Sequence, residues 1–473
     1  MPTTPHTFHI PVMGLGFTID TALKVAKFGI SSVLSIVEDE LIEQMREFHS
    51  KEANLLFVPI GKDEEDFRAK RITAYLNLLQ FLVEKQVAAM KELSFNESNE
   101  LTTYFDLLPD SSPLKHRFWE LQKCTDEATR EKLSTELKEA IIIGAIDVNI
   151  MAKIDKTNYD KEGNALPKEF SDALAALRGF ANSNLRSSVV LSAGYNPQLY
   201  AYAECFPDFY PNSQGILNKK IILKVSDYRS ALTQGKLFAK KGIWVSEFRI
   251  ESGLNCGGHA FATDGVLLGP ILEEFKTNRT ALLQELFDLC NKSLIQKGLT
   301  PFSEVPYTRI TVQGGIGTAL ENEMLLAYYE VDGTGWGSPF LLVPEATNVD
   351  SVTLAALSTA KKEDYFLSNT SPLGVPFNNF RSSSSEALRK QRIANGKPGS
   401  PCTKKNLISN CEFSEKPICT ASIKFQTHKI KELKTLELDK EKYELAFNQI
   451  TDKDCLCEGL SNAALLKNNI NPA

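Results

Sequence analysis

The stretch GIWVSEFRIESGLNCGGHAFATDGVLLGPILEEF, Gly242 to Phe275, runs from β-forming residues (Ile243, Trp244, Val245, Phe248) into a glycine-rich turn closed by Gly257, Gly258 and His259. An apolar-periodic, helix-type segment follows. Strand, glycine turn, helix is the repeating unit of a parallel sheet. Paired glycines let backbone approach a bound group with no Cβ in the way, and a histidine at a strand's exit can move protons near neutral pH. The same residues also read as an ordinary turn, in which the glycines supply positive φ and His259 caps a carbonyl. The rest of the chain decides between the two.

Working outward, the same unit recurs. Strand-type runs stand at 9–14 (HIPVMG), 31–36 (SSVLSI), 145–151 (AIDVNIM), 188–192 (SVVLS), 220–225 (KIILKV), 243–248, 309–312 (RITV) and 331–338 (VDGTGWGS). Helical patterns fill the spacers at 168–182, 196–203, 227–241, 273–294 and 318–329, with a first helix after Gly14 and Gly16 and a second over 39–49. Eight runs, nearly all apolar rather than alternating and each followed by a helix, predict an α/β fold: a parallel sheet closed as a (β/α)8 TIM barrel. An open doubly wound sheet competes, but the phosphate fingerprint expected after its first strand is absent.

Between the second and third strands, residues 51–140 carry no strand pattern. Apolar residues at Ile72, Leu76, Leu79 and Val83 mark a long amphipathic helix over 63–93, and 125–140 reads as another. This predicts a helical insertion in a barrel formed by 1–50 and 141–347, with a C-terminal extension over 348–473. A helix is expected over 348–363, and the proline-, glycine- and serine-rich segment 371–401 reads as a surface wrap.

The 473 residues are 42% hydrophobic and 24% charged with a formal net charge of −6, an ordinary soluble composition without the basic face nucleic acid requires. No run approaches a membrane span. The start, MPTTPHTFHIPVMG, has no signal-peptide pattern, so a cytoplasmic protein is expected.

In barrels of this class the site lies at the C-terminal strand ends, with phosphate bound by the loops after strands seven and eight. Strand seven runs into Gln313-Gly314-Gly315-Ile316-Gly317-Thr318 and a helix, and strand eight delivers Gly335-Trp336-Gly337-Ser338. Backbone N–H groups and a helix N-terminus there suit a phosphate dianion.

PVMGLG at the start, VNIM on the third strand, GGH after the sixth, GGIGT after the seventh and GWGSPFLLVPE after the eighth together resemble the nitronate monooxygenase (2-nitropropane dioxygenase) family of FMN-binding barrels. The flavin-dependent enoyl reductases of polyunsaturated fatty acid synthases are similar. The resemblance covers 8–50 and 144–347. It implies that Met13 and Gly14 lie against the isoalloxazine ring and that Asn149 hydrogen-bonds the flavin. Gly257 and Gly258 would bring backbone to the cofactor, Gly314, Gly315, Gly337 and Ser338 would hold its phosphate, and His259 would take the place of the catalytic histidine. By analogy with other barrels, Lys224 would set a cation near the flavin's pyrimidine edge, where it would stabilise the reduced anion; a lysine snorkelling out of the rim is the alternative. Asn255-Cys256 precede Gly-Gly-His where the family usually has alanine or serine, which leaves the substrate unassigned. Cys256 reads as a small buried apolar residue, or as an acid or nucleophile.

Of the cysteines, Cys402, Cys411, Cys419, Cys455 and Cys457 crowd the C-terminal extension. In a reducing compartment such a group suits zinc or an iron–sulfur cluster better than disulfides. Cys402, Cys419, Cys455 and Cys457 are the expected ligands and Cys411 is spare; free buried thiols are the alternative.

The expected activity is that of an FMN-dependent oxidoreductase of the nitronate monooxygenase or enoyl reductase type, acting on a small organic or acyl substrate. Neither nucleic acid nor membrane is an expected partner, and a homo-oligomer or an electron-transfer partner is compatible with the chain. Two other readings stand beside it: a non-catalytic barrel subunit of a larger assembly, and a phosphate-ligand barrel enzyme without flavin.

Overall fold

The computed structural model describes residues 4–152, 155–192, 194–252, 267–374 and 376–470. Eight parallel strands close into a barrel in sequence order. They are β1 (Phe8–Ile10), β2 (Ser31–Ser35), β3 (Ile146–Met151), β4 (Ser188–Ser192), β5 (Lys220–Val225), β6 (Val245–Ile250), β7 (Arg309–Gln313) and β8 (Gly333–Gly335). The chain is a (β/α)8 barrel. β8 returns to β1 through Phe8↔Thr334 and His9↔Gly335. At that closure a Cβ on Gly335 would stand 2.6 Å from His9 Nε2 and 2.8 Å from Gln313 Cβ, so only glycine lets the last strand in.

Each strand is followed by helix. Asp172–Ala181, Pro197–Tyr202, Tyr228–Ala239, Leu268–Gln296 and Ala319–Ala327 occupy the predicted spacers, and Asn196, Asp227 and Thr318 cap their helices through side-chain oxygens. Strand β6 starts two residues later than its apolar run suggests and ends at Ile250, because Glu247 and Arg249 lie within the sheet.

Between β2 and β3 the helix Asp39–Glu52 is followed by four more, Phe67–Lys91, Glu100–Asp106, Pro113–Lys123 and Glu127–Glu139, which make up the insertion. Val87, Met90, Leu101, Tyr104, Phe105 and Phe118 are among the buried residues of its own apolar core. The first helix is also fastened to the barrel helices: Thr73 Oγ1 donates to the Gly179 carbonyl at 2.9 Å, and Asp66 pairs with Arg178.

By compactness the chain divides into Met1–Ile250 with Ile271–Thr347, and Glu251–Pro270 with Asn348–Ala473. In the second unit, β9 (Tyr365–Ser368) and β10 (Phe377–Phe380) pair antiparallel. Helices span Ser351–Thr359, Ser384–Ala394, Ile423–Thr435, Lys440–Thr451 and Leu456–Lys467. The expected surface wrap over 371–401 therefore holds a strand and a helix. The helix expected over 348–363 is confined to Ser351–Thr359, capped by Asp350. Among the described residues no helix is long and apolar enough to cross a membrane.

Candidate functional site

A strand's side chains alternate between faces, so the register of the barrel fixes which residues look inward. Val33, Val190 and Ile222 meet in one apolar cluster that marks the interior. Two residues further along, on the same faces, lie Ser35, Ser192 and Lys224; Asn149 is level with Ser35, and Arg249 with Lys224. The interior is more polar than the strand runs suggest. Glu247 and Arg249, 3% and 2% exposed, are bonded through Arg249 Nε to Glu247 Oε1 at 2.8 Å. Thr311 Oγ1 donates to the same oxygen at 2.6 Å, and Arg309 approaches the other at 3.5 Å. His9 Nε2 meets Gln313 Oε1 at 3.3 Å.

Burial by itself would raise the Glu247 carboxyl, but the guanidinium groups of Arg249 and Arg309 outweigh it and hold the group at about 2. Burial, reinforced by Arg249, lowers His9 to about 3, so its ring is neutral at physiological pH. Burial raises Asp147 against the opposing pull of Arg249. The centre of the barrel thus carries a fixed carboxylate–guanidinium pair beside a neutral imidazole. This network was not foreseen from the sequence. Its signal was available: a glutamate and an arginine two apart in VSEFRI, on one face of an otherwise apolar strand.

Above this layer is the ring formed by the carboxyl ends of the strands. Met13 and Gly14 follow β1, Asn149 lies toward the end of β3, Lys224 near the end of β5, Gly314 and Gly315 after β7, and Gly337 and Ser338 after β8. A parallel barrel brings all of them to one end. Met13 and Gly337 are neighbours, since a Cβ on Gly337 would stand 3.7 Å from Met13 Sδ. Asn149 is buried, Met13, Gly14, Lys224, Gly314 and Gly337 are half-buried, and Gly315 and Ser338 are exposed. Among the described residues, three buried polar atoms around this end have no hydrogen-bond partner: Asn149 Oδ1, Ser35 Oγ and Trp336 Nε1. Partnerless polar atoms are uncommon in folded interiors, and here an acceptor, a hydroxyl and an indole donor occur together on β3, β2 and the turn after β8. His259, Gly257, Gly258 and Cys256 lie outside the described residues.

The phosphate turn departs from expectation in one respect. Gly314 and Gly315 take φ of 82° and 72°, the left-handed conformation that glycine favours. The helix N-terminus beyond them, however, is already bound by an anion of the chain itself. Glu321 closes a capping box with Thr318, and its Oε2 accepts from the Gly317 and Thr318 amides at 2.7 and 2.9 Å. The Gly314 amide is directed to the Gly335 carbonyl at 3.4 Å. A carboxylate seated on these amides shows that the turn accepts negative charge, and a phosphate using the same groups would compete with it.

Cys402, Cys419, Cys455 and Cys457 come together in the second unit, whereas Cys411 is exposed with its Sγ on the Glu415 carbonyl at 3.9 Å. As they stand the four form two hydrogen-bonded thiol pairs, and among the described residues no group of three or more His, Cys, Asp or Glu side chains is disposed to hold a metal ion.

No family model matches the chain, and no curated protein matches it. Among solved structures it is similar to the enoyl reductase domain of MlnA from the macrolactin biosynthesis cluster of Bacillus amyloliquefaciens, at 13% identity over 77% of this chain and 82% of that one, with a TM-score of 0.35. A mutant of FabK from Thermotoga maritima is similar at 13% identity over 57% and 68%, TM-score 0.29. An IMP dehydrogenase/GMP reductase-like protein from Corynebacterium glutamicum is similar at 11% identity over 79% and 71%, TM-score 0.33. At these scores none of the likenesses decides an activity. The fold rests on the closed barrel itself.

Proposed function

We propose that the protein is an FMN-dependent oxidoreductase acting on a small organic or acyl substrate, of the nitronate monooxygenase or enoyl reductase type that its sequence resembles. The observation that carries this reading is the set of buried polar atoms, Asn149 Oδ1, Ser35 Oγ and Trp336 Nε1, that have no partner among the described residues, at the strand ends where the motifs on β1, β3, β7 and β8 lie. A polar, partly planar ligand with its own donors and acceptors fits such a ring. Met13 and Gly337 would contribute an apolar wall beside it, and the Gly314-Gly315 turn would take its phosphate. Bound there, FMN would supply hydride or electron transfer.

The chain's own part is to bind, orient and protonate. Lys224 and Arg249 place positive charge at the ends of neighbouring strands, suited to an anionic reduced cofactor. Arg249 keeps its position because Glu247 grips it from below. His259, which follows β6 in the sequence, would give or take the substrate proton.

The test is an absorption spectrum of the purified full chain, with the released cofactor identified. A two-band flavin spectrum and stoichiometric FMN are expected; a colourless protein that refuses added FMN removes the reading. Gly314→Asp, which sets a carboxylate at the phosphate turn, should abolish flavin binding, while Gly314→Ala carries similar backbone strain without the charge and should retain more of it. His259→Ala should keep flavin and lose turnover, and an unchanged rate would remove the proton-transfer role.

A further inference from the structure

The helical insertion meets the barrel at the ends of two strands. Asp39 is the first residue of the helix Asp39–Glu52 that follows β2, and Asp172 the first of the helix Asp172–Ala181 that follows β3. Both carboxylates are buried, and both are reached from the insertion's first helix, Phe67–Lys91. Arg68 sets Nη1 at 2.7 Å from Asp39 Oδ1 and Nη2 at 3.2 Å from Asp172 Oδ1, so one guanidinium spans the two barrel helices. Its Nη1 also donates to the Val37 carbonyl at 3.3 Å, in the turn between β2 and its helix. Arg71, which is buried, takes the other Asp39 oxygen at 2.8 Å and donates to the Ile60 carbonyl through Nε and Nη2 at 2.9 and 2.6 Å. On the far side of Asp172, Asn158 Nδ2 donates to Oδ1 at 2.9 Å and to the Phe170 carbonyl at 2.8 Å, which ties the long connection after β3 to the same carboxylate.

Holding the insertion in place does not require this network. Taking paired charges out of water costs about as much as their attraction returns. The insertion has its own apolar core, and its first helix is fastened elsewhere: Tyr75 Oη donates to the Ile19 carbonyl at 3.0 Å, Thr73 bonds to Gly179 and Asp66 pairs with Arg178. What a planar guanidinium fork supplies is direction. The turn it grips leads straight to the candidate site. Val37 lies two residues past Ser35, and between them the Ile36 amide donates to the Asn149 carbonyl at 3.3 Å. Ser35 Oγ and Asn149 Oδ1 are two of the buried polar atoms that lack a partner among the described residues.

We propose that the insertion is part of the binding end of the barrel: Arg68 and Arg71 are positioning residues that lock the turns after β2 and β3 and so hold Ser35 and Asn149 where a ligand meets them. That this ligand is FMN rests on the function proposed above. A displacement of the helix Phe67–Lys91 is transmitted through Arg68 to both strand ends at once, which couples the site to the insertion.

The experiment compares the full chain with Arg68→Gln, Arg68→Lys and Thr73→Val, first free of flavin and then titrated with FMN. Thr73→Val is the control, because it unfastens the same helix at Gly179, in the last turn of Asp172–Ala181 and away from the strand ends. Without flavin, both Arg68 variants should exchange the Ile36 amide for deuterium faster than wild type, and Thr73→Val should not. With FMN, the Arg68 variants should bind about tenfold more weakly, the loss expected for one charged hydrogen-bonding group, and Thr73→Val should bind as wild type does. Arg68→Lys keeps the charge but offers one nitrogen in place of the fork, so it carries the test where Arg68→Gln fails to fold. Unchanged Ile36 exchange in a folded Arg68 variant overturns the positioning role, as does equal acceleration by Thr73→Val, and unchanged FMN affinity overturns its bearing on the site. If wild type takes up no FMN, the flavin reading falls, and Ile36 exchange alone decides whether Arg68 holds the strand ends.

Discussion

His9 shows how the barrel interior sets the chemistry of a single side chain. Burial and the adjacent Arg249 hold its ring neutral down to about pH 3, whereas in the unfolded chain it titrates near 6.5. Between those values the unfolded state binds the extra proton, so this residue's contribution to stability is lost as pH falls, about 1.4 kcal/mol per pH unit. Glu247 works in the same direction over a more acid window, from its ordinary value of 4.5, where the unfolded chain begins to take up the proton, down to about 2, where the folded carboxyl follows. In urea melts, the stability of wild type minus that of His9→Gln should therefore decrease steadily from pH 6 to pH 4. A difference that stays flat would mean that His9 accepts a proton inside the folded barrel.

The eight strands were legible because buried parallel strands must be apolar on both faces, which gives short uninterrupted runs between glycine turns. What the runs concealed was their inner face: Asp147, Asn149, Glu247 and Arg249 are polar residues at every second position, and apolar neighbours outvoted them. The helices Glu100–Asp106 and Pro113–Lys123 escaped notice through shortness, although Asn99 caps one and Pro113 opens the other. The glycine turn after β7 was readable as an anion site, yet the anion that holds its far side, Glu321, is three residues into a capping box rather than part of a ligand motif. Its removal tests the element. Glu321→Ala frees the Gly317 and Thr318 amides at the helix N-terminus and should tighten FMN by about two- to fivefold, measured by calorimetric titration. Weaker binding would show that the carboxylate instead orders the turn for the phosphate.

Across the molecule, local and distant order come together at β1 and β8. These are the two shortest strands of the barrel, three residues each, and the chain between them is more than three hundred residues long. Their bonds, Thr334 N to the Thr7 carbonyl at 2.9 Å and Trp336 N to the His9 carbonyl at 3.5 Å, close the longest loop in the barrel and so carry its largest closure entropy. Phe8 stacks against Trp336 and Phe340, with ring centroids 6.0 and 5.9 Å apart, and covers this seam with aromatic surface. The consequence is kinetic. The ring can be breached at its seam without unfolding the β5–β6 side, so amide hydrogens of Thr334 and Trp336 should exchange with deuterium well before those of Leu223 and Phe248. Equal protection would mean that the cylinder opens only as a whole. Met13 and Gly337 flank that seam, so FMN bound as proposed would bridge it and should slow the exchange of the Thr334 and Trp336 amides.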